Sequence, residues 1–207
     1  QALAGGLRAG LLAADVPVWL DTPLTDLHVE GGRVAGVSAI RGGTEILIRA
    51  RRGVIMASGG FEHNERMRKQ FQQEPIGVEW TVGAASNTGD GIEAGERAGA
   101  ALELMDDAWW GPMIPLPDGP YFCLSERTLP GNIFVNAAGN RFVNEGAPYS
   151  DVVHVMYERH SPRTPHIPSW MITDQRYRNR YLFRDVSPAL PYPDEWYASG
   201  ALHRDWT

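Results

Sequence analysis

The sequence predicts an α/β unit followed by an α+β unit. Three observations carry this. Two Gly-Gly pairs, Gly31-Gly32 and Gly42-Gly43, punctuate alternating apolar runs, as in antiparallel hairpins. The run Gly53 to Ala57 is apolar without alternation, the pattern of a parallel strand buried on both faces. From about Asp106 the character changes, with Trp109-Trp110, Pro112, Pro115, Pro117 and Pro120 crowded together, and a domain boundary falls there.

The elements follow in order. Leu3, Leu7 and Leu11 stand four apart, which is one face of a helix over residues 1–15. Val16 to Leu20 is β-prone. Leu24 to Glu30, Arg33 to Arg41 and Ile46 to Ala50 then form a three-stranded meander across the two glycine turns. Glu62 to Gln73 is charged and reads as a surface helix, and Gly83 to Asp90 as a loop of small residues. Gly91 to Leu104 reads as a helix with Ile92, Ala98 and Leu102 on or near one face. Past the boundary, Asn132 to Arg141 reads as strand, turn and short strand, and Ser150 to His160 as a helix. The tail after Ser161 is rich in Pro and aromatic residues, with Arg176, Arg178, Arg180 and Arg184 close together.

Composition narrows the function classes. A net charge of −6 argues against a nucleic-acid or anionic-membrane partner, which calls for a basic surface. The 23 glycines and 15 prolines exceed usual shares of roughly 7% and 5% and argue against a helix bundle. One cysteine, Cys123, excludes an internal disulfide and a Cys-rich zinc site. With no glycosylation sequon, no signal-peptide pattern and no apolar run long enough for a membrane span, the expected location is cytoplasmic. The chain opens without Met, inside what reads as a helix, and is expected to be part of a longer protein.

Metal and hydrolase chemistry find no support. His154, His160 and His166 are six apart, which does not align them on a helix face, and no metal site is expected. A Gly-x-Ser-x-Gly elbow is absent. Cys123 among Tyr121, Phe122 and Leu124 reads as a packed thiol.

Three segments hold candidate sites, each with a plain structural alternative. Ser58-Gly59-Gly60-Phe61 is either a glycine turn after a strand or a close backbone approach to a cofactor at a strand's C-terminal edge. In Asn87-Thr88-Gly89-Asp90-Gly91, Thr88 or Asp90 caps the next helix, or the glycines open its N-terminal amides to a phosphate or a flavin edge. Tyr149, after Ala147-Pro148, is either packed or a phenol placed for proton transfer.

Taken together and in this order, the segments are similar to the fumarate reductase/succinate dehydrogenase flavoprotein superfamily. Val54-Ile55-Met56-Ala57-Ser58-Gly59-Gly60-Phe61-Glu62-His63-Asn64 resembles its Ala-Thr-Gly-Gly-Phe…Asn segment. Asn87-Thr88-Gly89-Asp90-Gly91-Ile92 resembles its Asn-Thr-Gly-Asp-Gly-Ile, and Phe134 to Glu145 its block ending Arg-Phe-Val-Asn-Glu. The likeness covers roughly residues 1–160. It implies FAD as cofactor. It also implies a partial FAD-binding domain over 1–108, with the β-meander and the parallel-strand remnant, followed by part of a catalytic cap domain over 109–207. Ala57, Ser58 and Gly59, with Asn87, Thr88, Gly89 and Asp90, are then the cofactor-binding residues.

Two departures refine the resemblance. The chain contains no Gly-x-Gly-x-x-Gly fingerprint, which the superfamily carries upstream of this region. The chain alone is therefore expected to bind FAD poorly and to be inactive. Fumarate reductases also carry a proton-delivering arginine just after Asn-Glu. Here Asn144-Glu145-Gly146-Ala147-Pro148-Tyr149-Ser150-Asp151 has none. Glu-x-x-Pro-Tyr looks instead like the 3-ketosteroid dehydrogenases, whose tyrosine accepts the proton. This implies a catalytic Tyr149, a small hydrophobic steroid-like ketone as substrate, and a C=C bond introduced next to the ketone with hydride passing to flavin N5. The electron acceptor is left open. The alternatives are a reductase of an unsaturated acid and a non-catalytic ligand-binding module.

Overall fold

The computed structural model describes residues 2–205, which form two compact units. Of the described residues, the first holds 2–60 and 89–102 and the second 61–88 and 103–205.

In the first unit, α1 (Ala2–Ala13) precedes β1 (Leu24–Glu30), β2 (Arg33–Arg41) and β3 (Thr44–Arg49), which pair antiparallel in the order β1-β2-β3. All four turn glycines have positive φ, at 58° and 75° for Gly31 and Gly32 and at 56° and 79° for Gly42 and Gly43. Two successive positive values fit the hairpin turn whose twist matches the strands it joins. The helix α3 (Asp90–Arg97) is tied to β1 where the Arg97 guanidinium meets Asp26 at 3.3 Å.

Several expectations need correction here. Gly53 to Ala57 is not a strand: no described segment pairs with it, and Ile55 is 92% exposed. A strand exists by sharing its ladder, so an apolar run without a neighbour stays irregular. Among the described residues every strand pair is antiparallel. Val16 to Leu20 is likewise unpaired, with Pro17 removing one donor. The helix read over Gly91 to Leu104 stops at Arg97. Gly99, at φ 92°, ends it by donating to Glu96 O while Ala100 donates to Gly95 O, which satisfies the last carbonyls.

The second unit begins with α2 (Glu65–Phe71), capped by Asn64, whose side chain accepts from Met67 N. Next come β4 (Met113–Leu116) and β5 (Gly119–Phe122), an antiparallel hairpin inside the Pro-rich region. The strand β6 (Asn132–Val135) pairs antiparallel with β7 (Trp170–Thr173). The second strand expected after the Ala138-Gly139 turn shrinks to one bridge, Val135 to Arg141. The helix α4 (Tyr149–Arg159) buries Val152 and Val153. Val152 packs with Phe134 and Phe142, joined by Val143, Ala147, Val155, Met156 and Met171. Two short helices, α5 (Gln175–Arg180) and α6 (Asp194–Ala198), bury Tyr177 and Trp196.

Candidate active site

The two glycine motifs meet each other through the backbone. In the first unit Gly89 N donates to Gly60 O at 3.1 Å. In the second, His63 N donates to Asn87 O at 3.1 Å and Asn64 Nδ2 to Thr88 O at 2.8 Å. Asn87 Nδ2 donates to Glu62 Oε1 at 2.7 Å. Segments distant in sequence are thus laced side by side.

Gly89 is the N-cap of α3, with φ 82° and no side-chain cap. This corrects the reading of Thr88 or Asp90 as the cap: a left-handed backbone is open to glycine, and Gly89 occupies the position. Gly91 is required for a different reason. A Cβ there would collide with Ser58 Oγ and stand 2.9 Å from Ser58 Cβ. Ser58 therefore lies directly on the first turn of α3. Ala57, Ser58, Gly59, Thr88 and Asp90 are exposed, Asn87 is half-buried and Gly89 is buried.

Tyr149 is the first residue of α4, directly after its N-cap Pro148. Its phenol oxygen accepts from Trp109 Nε1 at 2.6 Å, and its ring meets Phe122 edge-on with centroids 5.3 Å apart. Asp107 holds the tryptophan segment in place. Its Oδ1 accepts from Ala108 N and Trp110 Nε1, both at 2.8 Å, and lies 2.9 Å from His154 Nε2 on α4. The His154 contact, then those to Ala108 and Trp110, hold the Asp107 carboxyl below its ordinary range. Ser150 Oγ adds a bond to Trp110 O at 3.3 Å. Sequence reading used Trp109-Trp110 to mark a domain boundary and gave no signal for Asp107.

The turn before Tyr149 is held by buried charge. The Glu145 carboxylate, 5% exposed, accepts from Phe134 N at 2.7 Å and from Arg141 Nε and Nη2 at 3.0 and 2.6 Å. Burial raises its pKa, but Arg141 and the Phe134 amide outweigh that, so the carboxyl sits below the usual range. Arg127, 3% exposed, donates through Nη1 to Glu145 O and, at 2.7 Å, to Ala147 O.

A cavity of about 500 Å³ also lies within the second unit. Trp80, Trp110, Met113, Val153, Met156 and Trp170 are among its walls. Tyr149 is not one of them. Among the described residues no cluster of His, Cys, Asp and Glu could hold a metal ion, and no helix is long and apolar enough to cross a membrane.

A sequence family described as FAD binding domain matches residues 1–190. The chain belongs to that family. Within the FAD binding domain family, it is 53% identical to a 3-oxosteroid 1-dehydrogenase of Mycolicibacterium smegmatis, over 98% of this chain and 37% of that protein. A solved 3-ketosteroid delta1-dehydrogenase from Sterolibacterium denitrificans, in complex with 1,4-androstadiene-3,17-dione, superimposes with TM-score 0.86 at 40% identity, over 92% of this chain and 35% of that one. A more distant relative, the NADH:acrylate oxidoreductase of Vibrio harveyi, is 38% identical over 60% of this chain and 13% of its own length. The chain spans little more than a third of the length of the steroid dehydrogenases it matches.

Proposed function

We propose that this chain is part of an FAD-dependent 3-ketosteroid dehydrogenase in which Tyr149 accepts the proton as a C=C bond forms next to the ketone. One observation carries the reading: the phenol oxygen of Tyr149 is held by Trp109 Nε1 at the start of α4, in a chain 53% identical to a 3-oxosteroid 1-dehydrogenase. A C–H next to a ketone is acidified, so Tyr149 acting as its phenolate can take that proton and become the neutral phenol. Trp109 donates to that oxygen and supports negative charge on it before the transfer. Fixing the phenol on a helix holds it in one direction toward a flat substrate. The Phe122 ring, edge-on to Tyr149, adds apolar surface of the kind a steroid skeleton needs.

The residues present fit FAD. Ala57, Ser58 and Gly59 leave open backbone, and α3 starts without a side-chain cap. Its first turn holds Asp90 and Glu93, and carboxylates there suit the hydroxyls of the cofactor better than its phosphates. Asn87, Thr88 and Gly89 complete the set. Bound FAD supplies the acceptor for the hydride leaving the neighbouring carbon.

The same proposal assigns 1–108 to the FAD-binding part and 109–207 to the cap that presents Tyr149. It also places the protein in the cytoplasm, which the single cysteine supports. Reduction of an unsaturated acid is disfavoured because residues 144–151 contain no arginine.

The test is anaerobic mixing of the intact flavoprotein with a 3-ketosteroid while flavin absorbance is followed. The flavin should bleach. Tyr149→Phe should keep its flavin and lose about 100-fold or more of the bleaching rate. Full-rate bleaching in Tyr149→Phe would remove it as the proton acceptor.

A further inference from the structure

We propose that Arg127 is a positioning residue for Tyr149, acting through the two carbonyls that precede α4. The inference rests on the reading of Tyr149 as the proton acceptor. Arg127 is 3% exposed, and among the described residues no carboxylate forms an ion pair with it. A buried guanidinium without a counter-charge is costly, and an apolar side chain would fill the same space at less expense. What the charge achieves here is specific. A single nitrogen, Nη1, gathers Glu145 O and Ala147 O. Those carbonyls flank Gly146, and the next two residues are Pro148 and Tyr149.

The clamp is itself anchored. Asn132 Nδ2 donates to Arg127 O at 3.0 Å, and Tyr177 Oη donates to Glu126 O at 2.8 Å. On the other side the Glu145 carboxylate is fastened to β6 through Phe134 N. The turn 144–148 is therefore pinned from two directions, by an arginine on its carbonyls and by a strand on its side chain. Ala147 O, the nearer of the two carbonyls that Arg127 holds, lies two residues before the phenol-bearing position. A base displaced by about 1 Å can lose up to about 100-fold in rate, so a clamp here acts on the proton-transfer step.

The test uses the full-length flavoprotein with Arg127→Met and Arg127→Lys, assayed with a 3-ketosteroid and with the same steroid deuterated next to the ketone. Arg127→Met should retain its flavin and keep KM within about twofold, while kcat falls on the order of 10- to 100-fold. The deuterium isotope effect on kcat should rise, because proton transfer becomes slower relative to other steps. Arg127→Lys keeps a cation with rotatable donors and should recover part of kcat. An unchanged kcat in a flavin-replete variant overturns the proposal. So does a loss of kcat matched by loss of flavin or helix content with the isotope effect unchanged. If Met at 127 does not fold, the Lys variant decides by the same readings. Two variants that do not fold assign Arg127 to the core alone and overturn the proposal. Tyr149→Phe, measured alongside, separates a failed clamp from a failed base: full turnover there refutes the base and the clamp with it.

Discussion

Replacing Glu145 tests how the turn before Tyr149 is held. Its carboxylate does two jobs of unequal value. It accepts from Phe134 N, a buried amide of β6, and it meets Arg141, whose guanidinium faces solvent. Because the Arg141 side of the pair faces solvent, the ion pair is partly screened and contributes the smaller share. The amide is different, because Glu145→Ala leaves a buried N–H with no partner, at a cost of about 1–3 kcal/mol. Glu145→Gln keeps an acceptor at that place, loses only the charge toward Arg141, and should lie much closer to wild type than Ala does. With a urea slope of about 1–3 kcal/mol per molar, the Ala variant should unfold at a midpoint lower by roughly 1 M, followed by tryptophan fluorescence. The pH dependence has a definite sign. The folded carboxyl titrates below its unfolded value, so its contribution is complete above about pH 4.3 and fades as pH falls through the folded value. The wild-type advantage over Glu145→Gln should shrink along that acid limb. An Ala variant with the wild-type midpoint, or a Gln variant as weak as Ala, would refute the assignment of the main effect to the Phe134 amide.

Two further outcomes follow from packing. Gly91→Ala should destabilise by about 1–3 kcal/mol despite alanine's better helix propensity, because rotating the Ser58 hydroxyl away leaves its Cβ at 2.9 Å; Ser58→Gly in the same protein should recover the loss in thermal unfolding. Cys123 is 1% exposed, and burial, then the Glu126 charge, push its thiol up to about 12, so it should resist a disulfide reagent at pH 8 and react once the chain is unfolded in urea.

The legible parts of the sequence are those fixed by short-range rules. The Gly31-Gly32 and Gly42-Gly43 turns demand positive φ and obtain it, so the meander could be read directly. The helix α4 starts at Tyr149, one residue before its expected start. The misreadings share a cause. Gly53 to Ala57 has the composition of a buried strand, yet pairing is decided by what lies alongside, and here nothing described does. The hairpin β4–β5 was hidden by its prolines. Pro115 faces Pro120 across the ribbon, and a two-stranded ribbon has two free edges where a missing N–H costs nothing. In the site, Tyr149 and the glycine motifs were visible, but the partners of Tyr149 were not. Trp109 reaches it from 40 positions away, and Arg127 reaches its turn from 18 and 20. No local pattern encodes such contacts.

The structure also divides the labour inside the resembling segments. Their amide side chains are spent on architecture. Asn64 caps α2 and donates to Thr88 O, Asn87 donates to Glu62, and Asn136 Oδ1 closes its turn by accepting from Ala138 N and Asn140 N, both at 3.0 Å. The glycines bring backbone against backbone, as Gly89 N does on Gly60 O, or admit a neighbour's side chain, as Gly91 does for Ser58. What these locks leave exposed is Ala57, Ser58, Gly59, Thr88 and Asp90, five of the residues proposed to meet the cofactor. The block ending in Glu145 repeats the logic, since Glu145 fastens the block to β6 and four residues later the chain delivers Tyr149. On the proposed reading the chemistry is then set by the side chain that opens α4, and here that side chain is the Tyr149 phenol rather than a guanidinium.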